Sequence, residues 1–582
     1  MPCLPSLSSL ADYQLVVVGS GNGACGFLDQ VLRGNAPPRV LVLEEGDNFF
    51  ETSDITHQRN WSRSYAEGDI FRLHHALTAD GLPVLCGRAC TMGGGGSINY
   101  TMIFESPAWL QDHVGHEPAY WQDCMQELVA ALQPRDPVLT PLAEHVLGRL
   151  QEAGYTLNPD RVGPVPVLPE QHQPLIHPFP TPFDAFGQRV HSGVSLLEWE
   201  GNPQLDFCTG QRVSKLLLEP GPDGQRCVGL ELWEPASGRR RELPLAAEAR
   251  LILCAGAGSP ALLLEHRDDL GNPAIGLEVN DHILLPFGIY LLPCDQPVSL
   301  KDQYVGLMAT DWPGDPTASG DDPLAQPPVV ANLDFFAGEL GTLLNLLAHL
   351  LIAFWLPNAW KRWMVRWPPL FTLLKTLSLA LVALFDRLDQ LVRLLHHPFG
   401  ARREPRTVIA AILKFNMARP GQYRSPGAPR NPDRPDPQPL PISLNCFAPG
   451  TADAAVAEAV IDRHLPLMNS LGVPPHPLVQ RLIRLLAPLP YRPDQVKGYV
   501  NHYRRHDLLT EQHLSGGCLF GTALDRGLED PARTGLVLGS SNIHVADLSA
   551  APLPRVSPQM TAYLIGHHVG RQMRLARQAR GA

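Results

Sequence analysis

Positive charge is in deficit along this chain. Its 582 residues carry 47 Lys and Arg against 58 Asp and Glu, a formal net charge of -11. Such a surface has no global field to draw phosphates, which excludes nucleic acid as the main partner. Cysteine lacks any metal-ligand pattern. The 11 cysteines are scattered, and Cys86 and Cys90 have neither a second close pair nor a histidine pair beside them. Sequence spacing therefore predicts no metal site. An odd cysteine count favours free thiols in a reducing compartment, so the expected location is the cytoplasm. Residues 1–11 lack the basic start and apolar centre of a secretion leader. Charged residues are sparse, 18% against 44% hydrophobic, yet no apolar run reaches the ~20 residues that span a bilayer. The length calls for more than one structural unit.

What the chain does have, near its start, is glycine in a specific setting. Leu15 to Val18 read as a strand, followed by Gly19-Ser20-Gly21-Asn22-Gly23 and a helix from Ala24 to Leu32. Gly19 can make the tight turn, Gly21 lets a phosphate approach the backbone, and Ala24 takes the third small position of G-x-G-x-x-G/A. The helix start offers free N–H groups to a pyrophosphate. A second strand, Val40 to Leu43, ends in Glu44, ~20 residues on, where the fingerprint expects a ribose-binding acid. A purely structural glycine turn is the competing reading.

Further glycine follows in Gly87 to Asn99, including Gly93 to Gly96, a backbone free to lie against a planar ligand or to form a flexible loop. Leu205 to Glu242 alternate apolar and polar residues between turn signals, as β-hairpins do. Leu251 to Pro260 repeat the strand–glycine pattern ahead of a helix at Ala261 to Leu264, which suggests one sheet built from separated stretches of chain. Proline clusters at Pro164 to Pro182 and Pro420 to Pro441 read as connections.

Residues 340–397 differ from the rest. Leu340 to Leu356 and Leu370 to Phe385 are apolar runs of ~16–17 residues, separated by Trp360, Lys361, Arg362, Trp363, Arg366 and Trp367. Tryptophan and basic residues together suit a membrane interface. Three arrangements fit: helices lying in one leaflet or capping a lipidic pocket, which we favour; a buried hairpin; or a transmembrane hairpin.

The carboxy-terminal part holds the candidate chemistry. His513 precedes Gly516-Gly517-Cys518, and Ile543 to Val545 read as a strand ahead of Asp547. Pro558-Gln559-Met560-Thr561 lead into a helix from Ala562 to Arg574.

Taken in order, these blocks resemble the glucose–methanol–choline (GMC) family of FAD-dependent oxidoreductases, nearer its cholesterol-oxidase-like members. The blocks are Gly19 to Ala24, Val42 to Gly46, Met92 to Asn99, Ala255 to Pro260, Asn280 to His282, His513 to Cys518 and Val545 to Pro552. The resemblance implies an α/β fold: a Rossmann-like FAD-binding domain assembled from 1–115, 185–290 and 500–582, plus a substrate domain of antiparallel sheet and helices from 116–184 and 291–499. The 340–397 block is outside the common pattern. By the same resemblance Gly19, Gly21, Gly23 and Ala24 would line the FAD pyrophosphate, and Glu44 would hold the adenosine ribose. Val213 would touch the adenine, and Gly93, Gly94 and Asn99 would pack near the flavin. Asp547, Gln559 and Met560 would face the ribityl chain and pyrimidine edge. Ile98 stands where some relatives carry a flavin-linking histidine, so the FAD is expected to be non-covalent.

Oxidising an alcohol requires a base near neutral pKa for the hydroxyl proton, and flavin N5 accepts the hydride. His513 is the candidate base, matching the family's active-site histidine; a histidine that merely caps the glycine turn is the bland reading. The second family position, usually His or Asn before Pro, is Ser557 here. Serine can donate a hydrogen bond but cannot act as a base at neutral pH. Arg555 and Gln559 are further candidates for that polar contact. The expected function is oxidation of a hydrophobic alcohol (long-chain, sterol-like or isoprenoid) with peripheral membrane contact through 340–397 and an unspecified electron acceptor. Two alternatives stay open: a non-redox flavoenzyme of the same fold, such as a lyase or photodecarboxylase, and a membrane-associated flavin-binding protein without turnover.

Overall fold

The computed structural model describes all residues except 1–6, 8, 35, 49–69, 79–80, 99–106, 135, 137–138, 170–172, 181–200, 236, 294–303, 312–329, 339–366, 368, 371–372, 374–375, 378–379, 381–383, 385–386, 389–390, 392–405, 425–441, 475, 479, 482–488, 507–509 and 582. Strands β1 (Leu15–Val18), β2 (Val40–Leu43), β3 (Leu205–Cys208), β4 (Arg250–Leu253) and β5 (Ile543–Val545) form a parallel sheet in the order β5-β4-β1-β2-β3. The register pairs Val16 with Leu251 on one side and with Leu41 on the other. All residues of β1 and β2 are buried, as expected of parallel strands covered on both faces. The strand order reverses at β1, so the carboxyl ends of β1, β2 and β4 open a crevice of the kind where ligands bind in open α/β sheets.

Helix α1 (Asn22–Val31) begins directly after Gly21, two residues earlier than its sequence suggests. The last helix, α3 (Gln559–Gly581), likewise starts before the expected Ala562 and continues past Arg574. The two helices meet backbone to backbone. A Cβ on Gly26 would lie 2.2 Å from the Tyr563 carbonyl oxygen, and one on Gly566 would lie 1.9 Å from that of Gly23. Between them in sequence, α2 (Pro118–Leu132) adds Trp121, Cys124, Met125 and Leu128 to the same core, although its residues fall within 116–184. The Leu205 to Glu242 stretch divides: β3 joins the parallel sheet, and Arg212–Gly221, Gly224–Glu234 and Arg239–Pro244 form a three-stranded antiparallel sheet.

A second core lies under a six-stranded, mostly antiparallel sheet, ordered His282–Pro293, Arg406–Asn416, Ala331–Gly338, Tyr304–Asp311, Leu175–Pro178 and Thr156–Leu157. Its first strand runs through position 290. Helices Asp453–Leu471 and Pro493–His506 supply apolar residues to this core. The described residues of 369–391 are helical, and Leu373, Leu377, Leu384 and Leu391 are exposed. The rest of the 340–397 reading lies mostly outside the described residues. Among those described, no helix is long and apolar enough to cross a membrane. The nine described cysteines are buried and form no disulfide.

Candidate active site

The first loop is built around positions only glycine tolerates. Gly19 has φ +93°, and a Cβ there would sit 2.5 Å from the Cys254 carbonyl oxygen. Gly21 is different: its backbone is extended, and a Cβ would meet nothing within 4 Å. No side chain caps α1, so its first N–H groups face that open space. The glycine patch closes one side, for a Cβ on Gly94 would lie 2.9 Å from Gly21 Cα. Ser20 ties the loops together. Its Oγ accepts from Gly93 N at 3.0 Å and donates to Glu44 Oε2 at 2.6 Å, and its backbone N–H donates to the same oxygen at 3.0 Å. Gly46 N donates to Glu44 Oε1 at 2.9 Å. Burial pushes the Glu44 pKa up, against the pull of these hydrogen bonds. Glu44, expected from the sequence to hold an adenosine ribose, here fastens the first loop through both carboxylate oxygens.

Other sequence-derived positions divide. Gly23 meets protein rather than the crevice, since a Cβ there would lie 2.2 Å from the Ala546 carbonyl oxygen, and Ala24 is fully buried. Val213 is buried two residues beyond Gln211, whose N–H donates to the Glu44 carbonyl at 2.9 Å. Asp547 is buried and fully engaged. Its Oδ2 accepts from Gly256 N at 2.8 Å and Ser259 Oγ at 2.6 Å, and its Oδ1 accepts from Ser549 N at 2.9 Å and Ser549 Oγ at 2.6 Å. Gln559 and Met560 are buried at the start of α3. Asn99 lies outside the described residues. The uncapped helix, the open space at Gly21 and the flat glycine patch together fit a dinucleotide diphosphate such as that of FAD.

His513 lies on a segment that joins the two sheets. Ser515 pairs with Asn280 just ahead of the His282 strand, and Cys518 N donates to the Ser549 carbonyl at 3.0 Å, close to the end of β5. The His513 backbone N–H donates to Asp281 Oδ1 at 2.9 Å. Its Nδ1 lies 3.0 Å from Glu511 Oε2 and 3.3 Å from His282 Nδ1. The His282 Nε2 lies 3.0 Å from the Pro554 carbonyl, to which it donates, and its Nδ1 is 3.2 Å from Glu511 Oε2. Behind them, Lys414 bridges Glu511 Oε1 and Asp334 Oδ2. Burial would raise the Glu511 pKa, but His513 and Lys414 hold it well below the carboxylate range. Burial would lower Lys414, and Asp334 and Glu511 carry it above its ordinary value. Burial pushes Asp281 and Asp334 each up to about 6 and pushes His282 down despite Glu511. His513 keeps 21% of its side chain exposed, against 1% for His282, so it is the ring a ligand can reach.

Glu511, two residues from His513, touches the ring, a partnership that the sequence alone does not assign. Lys414 and Asp334 also escaped the sequence reading. A single lysine in the apolar run Val408 to Phe415 is the signal that could have found Lys414. Ser557 is 8% exposed, directly ahead of α3. The segment before it is held from the antiparallel sheet: Asn332 Nδ2 donates to the Arg555 carbonyl at 2.8 Å, and Asn416 Nδ2 donates to that of Leu553 at 3.3 Å.

No protein-family model matches the sequence, and no curated protein matches it either. Solved structures do match the fold across nearly the whole chain. Pyridoxine 4-oxidase from Mesorbium loti superposes with a TM-score of 0.62 at 16% identity, covering 96% of this chain and 99% of its own. An arginine-substituted formate oxidase from Aspergillus oryzae RIB40 gives 0.64 at 16% identity, covering 98% and 100%. A fungal aryl-alcohol oxidase gives 0.55 at 16% identity, covering 98% and 100%. The chain thus has the Rossmann-like, two-domain α/β fold of these proteins.

Proposed function

We propose that this chain is an FAD-dependent oxidoreductase of GMC type that oxidises the CH–OH group of a hydrophobic alcohol. The observation that carries the reading is His513: a reachable imidazole, backed by a buried and ionised Glu511, on the segment that links the antiparallel sheet to the end of β5. FAD, when bound, supplies the hydride acceptor. Gly21, the α1 amino terminus and the Gly93–Gly94 turn would hold its diphosphate and flavin side. His513 takes the hydroxyl proton at Nε2, and the Glu511 carboxylate favours the imidazolium that forms. Lys414 and Asp334 keep that carboxylate in place. Ser557 donates a hydrogen bond to the substrate oxygen.

Support for an apolar substrate comes from Val556, next to Ser557, which clusters with Leu168, Phe179, Met308 and Val330. The exposed Leu373, Leu377, Leu384 and Leu391 recur at helical spacing on one narrow face, suited to a lipid surface from which such an alcohol is drawn. Similarity to oxidases of pyridoxine, formate and aryl alcohols supports the redox class and not the substrate.

Anaerobic mixing with long-chain, isoprenoid and sterol alcohols tests the reading. Bleaching of the flavin band is expected with at least one of them. His513→Ala should keep the bound flavin and slow its reduction by about 10²–10⁴-fold. Unchanged reduction in that variant would remove His513 as base, and a flavin that no alcohol bleaches would leave a non-redox role.

A further inference from the structure

Sequence spacing predicts no metal ligands, yet the fold brings His282, Glu511 and His513 to one point. We infer that His282 Nδ1, His513 Nδ1 and Glu511 Oε2 form a three-ligand site for a divalent transition metal of the zinc type.

The three atoms stand 3.3, 3.2 and 3.0 Å apart. Tetrahedral zinc, with bonds of about 2.0–2.1 Å, sets its ligand atoms about 3.3 Å from one another. An ordinary hydrogen-bonded cluster would place Glu511 Oε2 along a ring N–H. It does not: Oε2 is buried and accepts no aligned hydrogen bond. The outer contacts are those a metal site requires. The bond from His282 Nε2 to the Pro554 carbonyl fixes the tautomer that leaves Nδ1 with a free lone pair. Lys414 holds the other Glu511 oxygen. Charge points the same way. Among the described residues Lys414 is the one cation paired with Asp334 and Glu511, so a net negative charge is left for a cation to balance when both histidines are neutral. Three protein ligands leave the fourth position for water.

Metal on Nδ1 would place the remaining ring proton of His513 on Nε2, converting that atom from acceptor to donor. Under the proposed function, the bound cation would therefore switch the base off. That consequence rests on the redox reading; the binding itself does not.

The experiment equilibrates the purified full-length chain with zinc ion, dialyses it, and counts zinc by plasma mass spectrometry. About one zinc per chain is expected. His513→Ala and Glu511→Gln should each bind at least about tenfold more weakly. His513 is partly exposed, so its truncation should fold even if Glu511→Gln, which leaves Lys414 short of an anion, does not. Zinc retained unchanged in His513→Ala, or absent from the unsubstituted chain, would overturn the proposal. A colourless, flavin-free chain that still binds zinc through these residues would sink the redox reading and leave the metal site standing.

Discussion

Gly21 and Gly19 stand two residues apart and show how differently glycine is used. Gly19 has a left-handed backbone and no room for a Cβ beside Cys254, so any side chain there strains the fold itself. Gly21 has ordinary extended angles and empty space in front of it. Gly21→Val should therefore fold with an unchanged melting temperature, yet fail to hold FAD, because its methyls fill the space that the proposed function gives to the diphosphate. Full yellow colour in that variant after purification would show that the diphosphate lies elsewhere. Glu44 is legible from its place after β2, but its three hydrogen bonds to Ser20 and Gly46 are not. Those depend on a turn conformation that nearest-neighbour sequence does not specify.

At the scale of elements, α1 and α3 are joined across more than five hundred residues of chain. Gly26 and Gly566 let them touch at the backbone, and this contact holds α1 against the last helix. The partner on the other side is peptide rather than a flexible side chain and cannot give way. Gly566→Leu should then destabilise the fold by at least about 3 kcal/mol, more than ordinary overpacking, read as a lower denaturant midpoint. An unchanged midpoint would mean the helices do not meet as described. The helix signals of the sequence were right in kind and began late, because capping is set by the turns that precede each helix. Gly21 and Pro558 supply those turns.

At the scale of the whole molecule, two cores meet where residues 511–518 run from the antiparallel sheet to the end of β5. Under the proposed function a substrate reaches His513 from outside, and the exposed leucines of 369–391 are the lipid-side contact that function calls for. Replacing Leu373, Leu377 and Leu384 by Asp should abolish co-flotation with phospholipid vesicles while leaving turnover of a water-soluble alcohol within about twofold. Each added charge resists transfer out of water by a few kcal/mol. Vesicle binding that survives all three changes would assign the face another role.

The sequence by itself determined the strand–glycine–helix unit, the acid at the end of β2, the order of the later glycine blocks and the candidacy of His513. Each is a local matter of turn geometry, apolar runs and short spacing. Only the tertiary structure decided what surrounds that histidine. Lys414 lies 97 residues from Glu511, and His282 lies 231 residues from His513. Charges so far apart in sequence acquire a shared low-dielectric site, and with it their ionisation and any metal-binding capacity, only when two sheets close over them.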